Sequence, residues 1–380
     1  MEKKPLLKKG LTISVILLFL GTGIIPSTAQ DTEKPLPTSR GNWLYVGGNG
    51  PGNYTRIQDA INDSAPGDTV YVYNGTYYET VSINVMSLTL IGEDRETTVI
   101  DARPISSTAV LIQQSFVVIQ GFTIIAADNF IYGNGILVSS GLERVKIYNN
   151  NLSKNYRGVD YDGGNNYDVI ENNVFYSNFY GIRLWGGHNA IRNNTFVGNY
   201  EGIFFGGLYN EILNNTFLGC RSEGILQLGG LSTFKYNIFI GNDIGLDVND
   251  GNTIFGNYFE NNGIGLYAAG SGNTIIGNHF ENNGIGLRLS VASDTVINQN
   301  NFINNRKDTS FSLESRSQGN TWDSNYWGRP RILPKPLLHI GILFWIIKPH
   351  YYRPGLPFFY FWLAFDWHPA QEPYDIPGMR

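Results

Sequence analysis

The 380-residue sequence is poor in the residues that build disulfides, soft-metal sites and nucleic-acid interfaces. It has one cysteine, three methionines and five histidines. A single thiol, Cys220, cannot form an internal disulfide, and so few scattered ligands do not make a zinc or copper site. Charged residues are only 16% of the chain and the formal net charge is −5, so the chain offers no attractive field to a phosphate backbone. We therefore expect no nucleic-acid partner, no metal and no cofactor, although the sequence leaves calcium open.

Long apolar runs are also absent. The apolar stretch at residues 11–25 is shorter than the roughly 20 residues that span a bilayer. It follows four lysines (Lys3, Lys4, Lys8 and Lys9) and precedes Ser27-Thr28-Ala29. This pattern predicts a signal peptide over residues 1–29 and a linker over 30–42, with a retained anchor as the alternative. We therefore expect a secreted or cell-surface protein, in which Asn53, Asn62 and Asn74 are candidate glycosylation sites because each begins an Asn-x-Ser/Thr triplet.

The C-terminal segment, residues 331–380, differs in composition from the rest of the chain. Prolines interrupt its apolar stretches at residues 337–347 and 356–365, so a continuous helix is excluded and neither stretch spans a membrane. We expect a cap or docking segment that covers an open end of the core. Contact with the envelope or a membrane surface is its alternative role.

Glycine and asparagine dominate the composition, with 45 and 42 residues. Both disfavour helix interiors, and between residues 145 and 305 the sequence repeats about every 21 residues. Each repeat has a large apolar anchor. The anchors are Leu152, Phe175, Phe196, Phe217, Phe239, Phe259, Phe280 and Phe302. Units of this length with short alternating apolar segments are typical of one coil of a parallel β-solenoid.

An asparagine precedes every anchor by two residues. The column is Asn150, Asn173, Asn194, Asn215, Asn237, Asn257, Asn278 and Asn300. Stacked coils lie about 4.8 Å apart, so these amides can bond to one another along the axis as a structural ladder. A second column follows each anchor by three residues and is interrupted only by Cys220, which we interpret as a small buried substitute and not a nucleophile.

The flanking segments carry a resemblance to a known family. Tyr54–Asp68, Thr69–Tyr77, Leu88–Gly92 and Asn320–Gly328, with Phe365–Pro369, resemble the right-handed parallel β-helix proteins of the NosD type, in particular exported archaeal members. Their shared module is also called the carbohydrate-binding and sugar-hydrolase domain. The resemblance covers roughly residues 43–330. It implies one all-β, right-handed parallel β-helix of about ten coils and about 21 residues per coil, and Arg56–Asn62 is then a helical plug at its N-terminal end.

The resemblance leaves function open, because the module is shared by binding proteins, lyases, epimerases and accessory proteins. The NosD name implies copper delivery. Clustered Met, Cys or His would be needed for that role. Met86 is alone in the predicted solenoid, and the histidines lie at non-equivalent positions, so we expect no copper role.

Candidate ligand-binding residues lie in the segment of each unit that begins with glycine. There, the residue between two apolar positions faces outward, and Asp162 and Trp185 follow two residues further along their units. The outward column is Asp160, Arg183, Phe204, a slipped unit near Leu226, then Asp247, Tyr267 and Arg288. Aromatic rings mixed with Asp and Arg suit the stacking and hydrogen bonding of sugars. We therefore predict non-catalytic binding of a polysaccharide or surface glycan, and the alternative is an ordinary solvated face.

Two other functions remain open. A polysaccharide lyase, epimerase or hydrolase would use Asp160, Asp162 and Arg183 on this face, although an Asp–Arg salt bridge between neighbouring coils is the simpler interpretation. Glu260 and Glu281 occupy equivalent outward positions near the separation used by retaining glycosidases, but duplication of the repeat explains them equally well. A structural envelope protein is the third hypothesis.

Overall fold

The computed structural model describes residues 41–103, 108–126, 133–311, 319–343 and 358–376. The predicted right-handed parallel β-helix is confirmed. It has about 12 turns of about 22 residues, two turns more than the sequence suggested. The predicted signal peptide and most of the linker lie outside the described residues. Across the described ranges, no helix has the length and apolar composition needed to traverse a bilayer.

Three parallel sheets, named A, B and C, form the walls of the described solenoid. Eleven described coils each contribute one short strand to each wall, and sheet A has two further strands, one at each end. Sheet A consists of β1 (Trp43–Val46), β2 (Thr69–Val72), β5 (Thr89–Gly92), β8 (Val118–Gln120), β11 (Lys146–Tyr148), β14 (Val169–Glu171), β17 (Ala190–Arg192), β20 (Glu211–Leu213), β23 (Thr233–Lys235), β26 (Thr253–Phe255), β29 (Thr274–Ile276), β32 (Val296–Asn298) and β35 (Thr321–Asp323).

Sheets B and C follow in each coil. Sheet B consists of β3 (Gly75–Tyr77), β6 (Thr98–Asp101), β9 (Thr123–Ile125), β12 (Asn151–Ser153), β15 (Val174–Tyr176), β18 (Thr195–Val197), β21 (Thr216–Leu218), β24 (Ile238–Ile240), β27 (Tyr258–Glu260), β30 (His279–Glu281) and β33 (Asn301–Ile303). Sheet C consists of β4 (Val81–Ile83), β7 (Thr108–Ile112), β10 (Asn134–Val138), β13 (Arg157–Tyr161), β16 (Tyr180–Trp185), β19 (Glu201–Gly206), β22 (Glu223–Gln227), β25 (Ile244–Val248), β28 (Ile264–Ala269), β31 (Ile285–Ser290) and β34 (Lys307–Phe311).

The anchor residues stack inside the shaft. From Phe175 to Phe302, consecutive phenylalanine rings lie 4.6–4.9 Å apart and nearly parallel. Trp327 closes the stack, 4.6 Å from Phe302. Glycine is required beside these rings: a Cβ on Gly181 would lie 2.5 Å from the Gly202 carbonyl oxygen and 2.7 Å from the Phe196 ring. The repeat therefore keeps a glycine near the start of these sheet C strands.

The asparagine column forms a continuous buried ladder. The backbone N–H of each member donates to the side-chain oxygen of the next at 2.9–3.1 Å, from Asn150 through to Asn325. Asn325 in turn donates to the Asp366 carboxylate at 3.0 Å, so the ladder ends on an acceptor. These backbone N–H bonds all run toward the C-terminal end, whereas the side-chain amides also donate to a carbonyl oxygen of the preceding coil.

The second asparagine column forms the same kind of bond between coils. Cys220, which interrupts it, keeps its backbone bond to the next asparagine. Cys220 is 2% exposed and its backbone N–H donates to Asn242 at 2.8 Å, as an asparagine would. Burial raises the pKa of its thiol to about 12, which opposes formation of a nucleophilic thiolate.

Both ends of the described core are covered. At the N-terminal end, helix α1 (Ile57–Asn62) buries Ile57 and Ala60, and the Glu79 carboxylate accepts the Ile57 backbone N–H at 2.8 Å. At the other end, β36 (Lys335–Leu343) and β37 (Phe358–Asp366) form an antiparallel pair. Trp327 also donates to Asp366 at 2.9 Å, so the base of this hairpin is tied to the last coil.

Candidate functional site

The outward residues of sheet C form one continuous column across seven coils. Strand pairing places Asp160 beside Arg183, then Phe204, Leu226, Asp247, Tyr267 and Arg288, each directly opposite the next. We call these seven residues the sheet C strip. Leu226 occupies the position that the sequence left uncertain, because the extra residue in its unit is absorbed in the turn before β22. A linear ligand lying along the solenoid axis would contact these positions in order.

The first part of the strip is an ion cluster, and its acid is not open to solvent. The Asp160 carboxylate is 2% exposed and accepts two bonds from Arg183, at 2.6 and 2.9 Å. Arg157, on the same strand, lies 3.4 Å from Asp160 Oδ2, the oxygen that also accepts the second Arg183 bond. The expectation that Asp160 presents itself to a ligand is therefore corrected: two guanidinium groups cover it. This arrangement opposes a role for Asp160 as general acid or base and leaves Arg183 as the solvent-facing member of the pair.

An aromatic cluster lies on the coil of Arg183 and on the next coil. The Phe204 ring lies 5.7 Å from the Tyr180 ring and 5.5 Å, edge-on, from Trp185. The Trp185 indole extends over Gly206 on the neighbouring coil, where a Cβ would approach within 2.5 Å of the ring. Glycine at this position thus makes room for the indole. The cluster provides apolar ring surfaces of the kind that stack on sugars.

Three carboxylates occupy the middle coils. The pairing of Ile203 with Ile225 brings Glu201 beside Glu223, and Asp247 lies on the coil after Glu223. Burial, reinforced by the Glu223 charge, raises the pKa of Glu201 to about 7. The same two causes raise the pKa of Asp247 to about 7. These groups therefore titrate near neutral pH.

The last two members of the strip, Tyr267 and Arg288, contact each other. The Arg288 guanidinium lies 5.5 Å from the Tyr267 ring centre, in a cation–π arrangement. Asp162 is exposed just after β13, and the structure does not bring it to Asp160 as an acidic pair, because Asp160 is enclosed by arginines.

Of the glycosylation candidates, Asn62 and Asn74 are exposed, whereas Asn53 uses its side-chain amide to bind the Gly47 carbonyl.

The paired glutamates of sheet B are in direct register. Glu260 lies opposite Glu281, and the Tyr258 hydroxyl donates to Glu281 at 3.2 Å. Glu281 also lies 3.2 Å from His279 Nε2, and burial lowers the pKa of that histidine. Glu281 is thus tied to a tyrosine and a histidine of its own sheet, whereas Glu260 accepts a hydrogen bond from Asn261 at 3.0 Å.

The candidate ligands for a soft metal are dispersed. In the described ranges, no group of three or more His, Cys, Asp or Glu side chains is placed to hold a metal ion. His188 is stacked between Tyr167 and Tyr209, at 5.3 and 5.2 Å. His368 lies 2.7 Å from an Asp323 oxygen. His188, His279 and His368 therefore each have a structural partner; His350 lies outside the described residues.

Comparison with known proteins places the chain among β-helix proteins. The family model described as "Periplasmic copper-binding protein (NosD)" matches residues 61–332. The mannuronan C-5 epimerase AlgE6 A-module of Azotobacter vinelandii is a structural neighbour, with 16% identity and a TM-score of 0.56 over 70% of this chain and 93% of that module. A mannuronic acid specific polysaccharide family 6 lyase from human gut microbiota has 13% identity and a TM-score of 0.52, over 71% of this chain and 84% of that lyase. No curated protein matches the sequence.

The family match and the two structural neighbours support different conclusions. At such low identities the two neighbours show the fold alone. The copper named in the family description does not fit the described residues, because Met86 is exposed, Cys220 is sealed in the core and the described histidines are separate.

Proposed function

The chain belongs to the NosD family, and from that membership and the sheet C strip we propose that it is an exported protein that binds a polysaccharide or surface glycan without catalysis. The observation that carries the proposal is the alignment of aromatic and charged side chains on six of seven successive coils, with Leu226 on the remaining coil. A periplasmic family supports export, as do the predicted signal residues 1–29. N-terminal sequencing of the mature protein tests this part.

A glycan array followed by titration calorimetry tests the binding role. Trp185→Ala and Tyr267→Ala remove ring surfaces from the strip, and each is expected to weaken binding of any glycan that the wild-type protein retains. Tyr209→Ala, which removes an exposed ring from the turn between sheets C and A, is the matched control and should bind normally. No binding to any glycan on the array would favour the structural envelope role.

The enzymatic alternative has one specific observation in its favour. Glu201 and Asp247 have pKa values of about 7, the range in which a carboxyl group serves as general acid or base at neutral pH. The two structural neighbours are named for acting on mannuronate polymers, which supports a glycan partner in general terms. Incubation with bound glycan, followed by assays for unsaturated products and new reducing ends, separates catalysis from binding. If turnover exists, Asp160→Asn and Arg183→Ala test the residues predicted from the sequence.

The C-terminal segment supports an additional contact with the envelope. Ile332 and Leu333 are 97% and 76% exposed, and Arg329 and Arg331 flank them. An apolar tip beside basic residues suits an anionic membrane surface. Co-sedimentation with anionic vesicles should fall in the double variant Ile332→Ser/Leu333→Ser, and equal sedimentation of both proteins would contradict this role.

A further inference from the structure

The middle of the sheet C face holds three acidic side chains without cationic partners. Glu201, Glu223 and Asp247 lie on three successive coils, which are about 4.8 Å apart in a parallel sheet. Glu201 is only 8% exposed, and its Oε2 atom has no hydrogen-bond partner. No ion pair to any of these three carboxylates exists among the described residues. We call them the acidic stretch.

The arginines near the acidic stretch do not neutralise it. Arg183 and Arg157 both bind the Asp160 carboxylate, one and two coils before Glu201, and neither forms an ion pair with the acidic stretch. Arg288 lies over the Tyr267 ring, two coils beyond Asp247. Arg221 is exposed in the turn before Glu223 and makes no ion pair with that residue. The face therefore presents uncompensated negative charge directly beside the aromatic cluster of Tyr180, Phe204 and Trp185.

A buried carboxylate without a partner is costly, and a ligand that supplies one is favoured. A polyuronate would bring more negative charge to these groups. A neutral glycan could donate hydroxyl hydrogen bonds to them but would not compensate their charge. An ammonium group would form a charge-assisted hydrogen bond with each carboxylate. Glu201 and Glu223 are in register on neighbouring coils, and Asp247 lies on the next coil, three residues further along its strand than the residue opposite Glu223. Amino groups at different positions of one polymer can therefore pair with these carboxylates.

Resting on the proposed glycan-binding role of this face, we infer that the ligand is a cationic glycan, a polymer of amino sugars with free amino groups. Its rings pack on Phe204 and Trp185, and its ammonium groups pair with the acidic stretch. Salt is expected to weaken this binding, because the contacts are between opposite charges at a partly exposed face. The pKa values of about 7 for Glu201 and Asp247 are consistent with carboxylates that await a cation.

Titration calorimetry with three oligosaccharides of equal length tests the inference: oligoglucosamine, its fully N-acetylated form and oligomannuronate. The wild-type protein is expected to bind oligoglucosamine at least about tenfold more tightly than the other two. The double variant Glu201→Gln/Asp247→Asn should lose at least about tenfold in affinity for oligoglucosamine alone. It removes buried charge without changing shape, so it should fold, and its melting curve checks this. Glu211→Gln removes an exposed carboxylate from sheet A and is the matched control.

Each outcome has a distinct meaning. Equal affinity for the N-acetylated form, or tighter binding of oligomannuronate, overturns the cationic ligand and leaves the glycan-binding role intact. An unchanged affinity in the folded double variant also overturns it, because the acidic stretch would then not be the recognition element. Failure of all three sugars and of the wider array would instead remove the proposed glycan-binding role itself.

Discussion

Removing one amide from the middle of the asparagine ladder should cost the protein a large part of its stability. Asn215 Oδ1 accepts the Asn194 backbone N–H at 2.9 Å, and its Nδ2 donates to the Ile191 carbonyl at 2.8 Å and to Asn237 Oδ1 at 3.1 Å. Asn215→Ala leaves the buried Asn194 N–H without an acceptor, which costs about 1–3 kcal/mol. Loss of the two donated bonds adds about 0.5–1.5 kcal/mol each. The free energy of unfolding should therefore fall by about 2–6 kcal/mol in total.

Equilibrium denaturation in guanidinium chloride, followed by circular dichroism, measures this change. The matched control is Asn62→Ala, which removes an exposed amide at the end of α1 and should change the free energy of unfolding by no more than about 0.5 kcal/mol. A loss of less than about 1 kcal/mol for Asn215→Ala, or a loss equal to that of the control, would refute the ladder as a source of stability.

Three further substitutions probe the interior and its closure. Cys220→Asn restores an amide acceptor for the coil that contains Asn199, and the free energy of unfolding should rise by about 1 kcal/mol in the same denaturation assay; a fall would mean that the corner is too small for the amide. Asp168 has a pKa raised to about 7 by burial, so the folded protein keeps a proton that the unfolded chain releases above about pH 4. Wild-type stability should therefore fall as the pH rises from about 4 to about 7, and Asp168→Asn should raise the melting temperature more at pH 8 than at pH 4; an equal effect at both values would contradict this. Asp366→Ala removes the final acceptor from Asn325, and hydrogen exchange should accelerate in residues 358–376 while the central coils stay protected; uniform protection would contradict the capping role.

The fold could be predicted because its main constraints recur in register. Phenylalanine and asparagine at fixed distances within each unit determined the period, and the period determined which residues are neighbours 21 residues apart. The outward column from Asp160 to Arg288 followed from the same arithmetic. The extra residue near Leu226 could not be placed, because an insertion of one residue can be absorbed in any turn of its coil.

A third ladder escaped the sequence analysis for a chemical reason. It runs through the turn before sheet A, where backbone N–H groups donate to side-chain oxygens of several residue types. It joins Asp168, Asn189, Asn210, Ser232, Asn252 and Asn273, and the Thr295 N–H donates in the same way to Asn320. Amide and hydroxyl oxygens serve as acceptors there, and the Asp168 carboxylate accepts the Val145 N–H. The available signal was a small polar residue seven positions before every anchor except Leu152, which a search for identical residues does not detect.

The electrostatics of the candidate site could not be read from one strand at a time. Glu201 and Glu223 are unremarkable in their own units, and their mutual effect arises only because the coils bring them side by side. The opposite error occurred at Asp160. Its outward position was predicted, but its enclosure required Arg157 from the same strand and Arg183 from the next. Burial of a charge depends on the length and direction of neighbouring side chains, which spacing does not specify.

The polarity of the first ladder connects the interior to the variable outer face. The backbone N–H bonds of the ladder run from each coil to the next, so an added coil needs only one more amide, and the last coil needs only an acceptor. The Asp366 carboxylate meets that requirement, since an ionised carboxylate only accepts hydrogen bonds. Because the ladder and the ring stack hold each coil in place from within, the outward residues are free to differ from coil to coil. Ligand preference can then change by substitution at Phe204 or Asp247 with no cost to the core, which is the physical reason to look for function on this face.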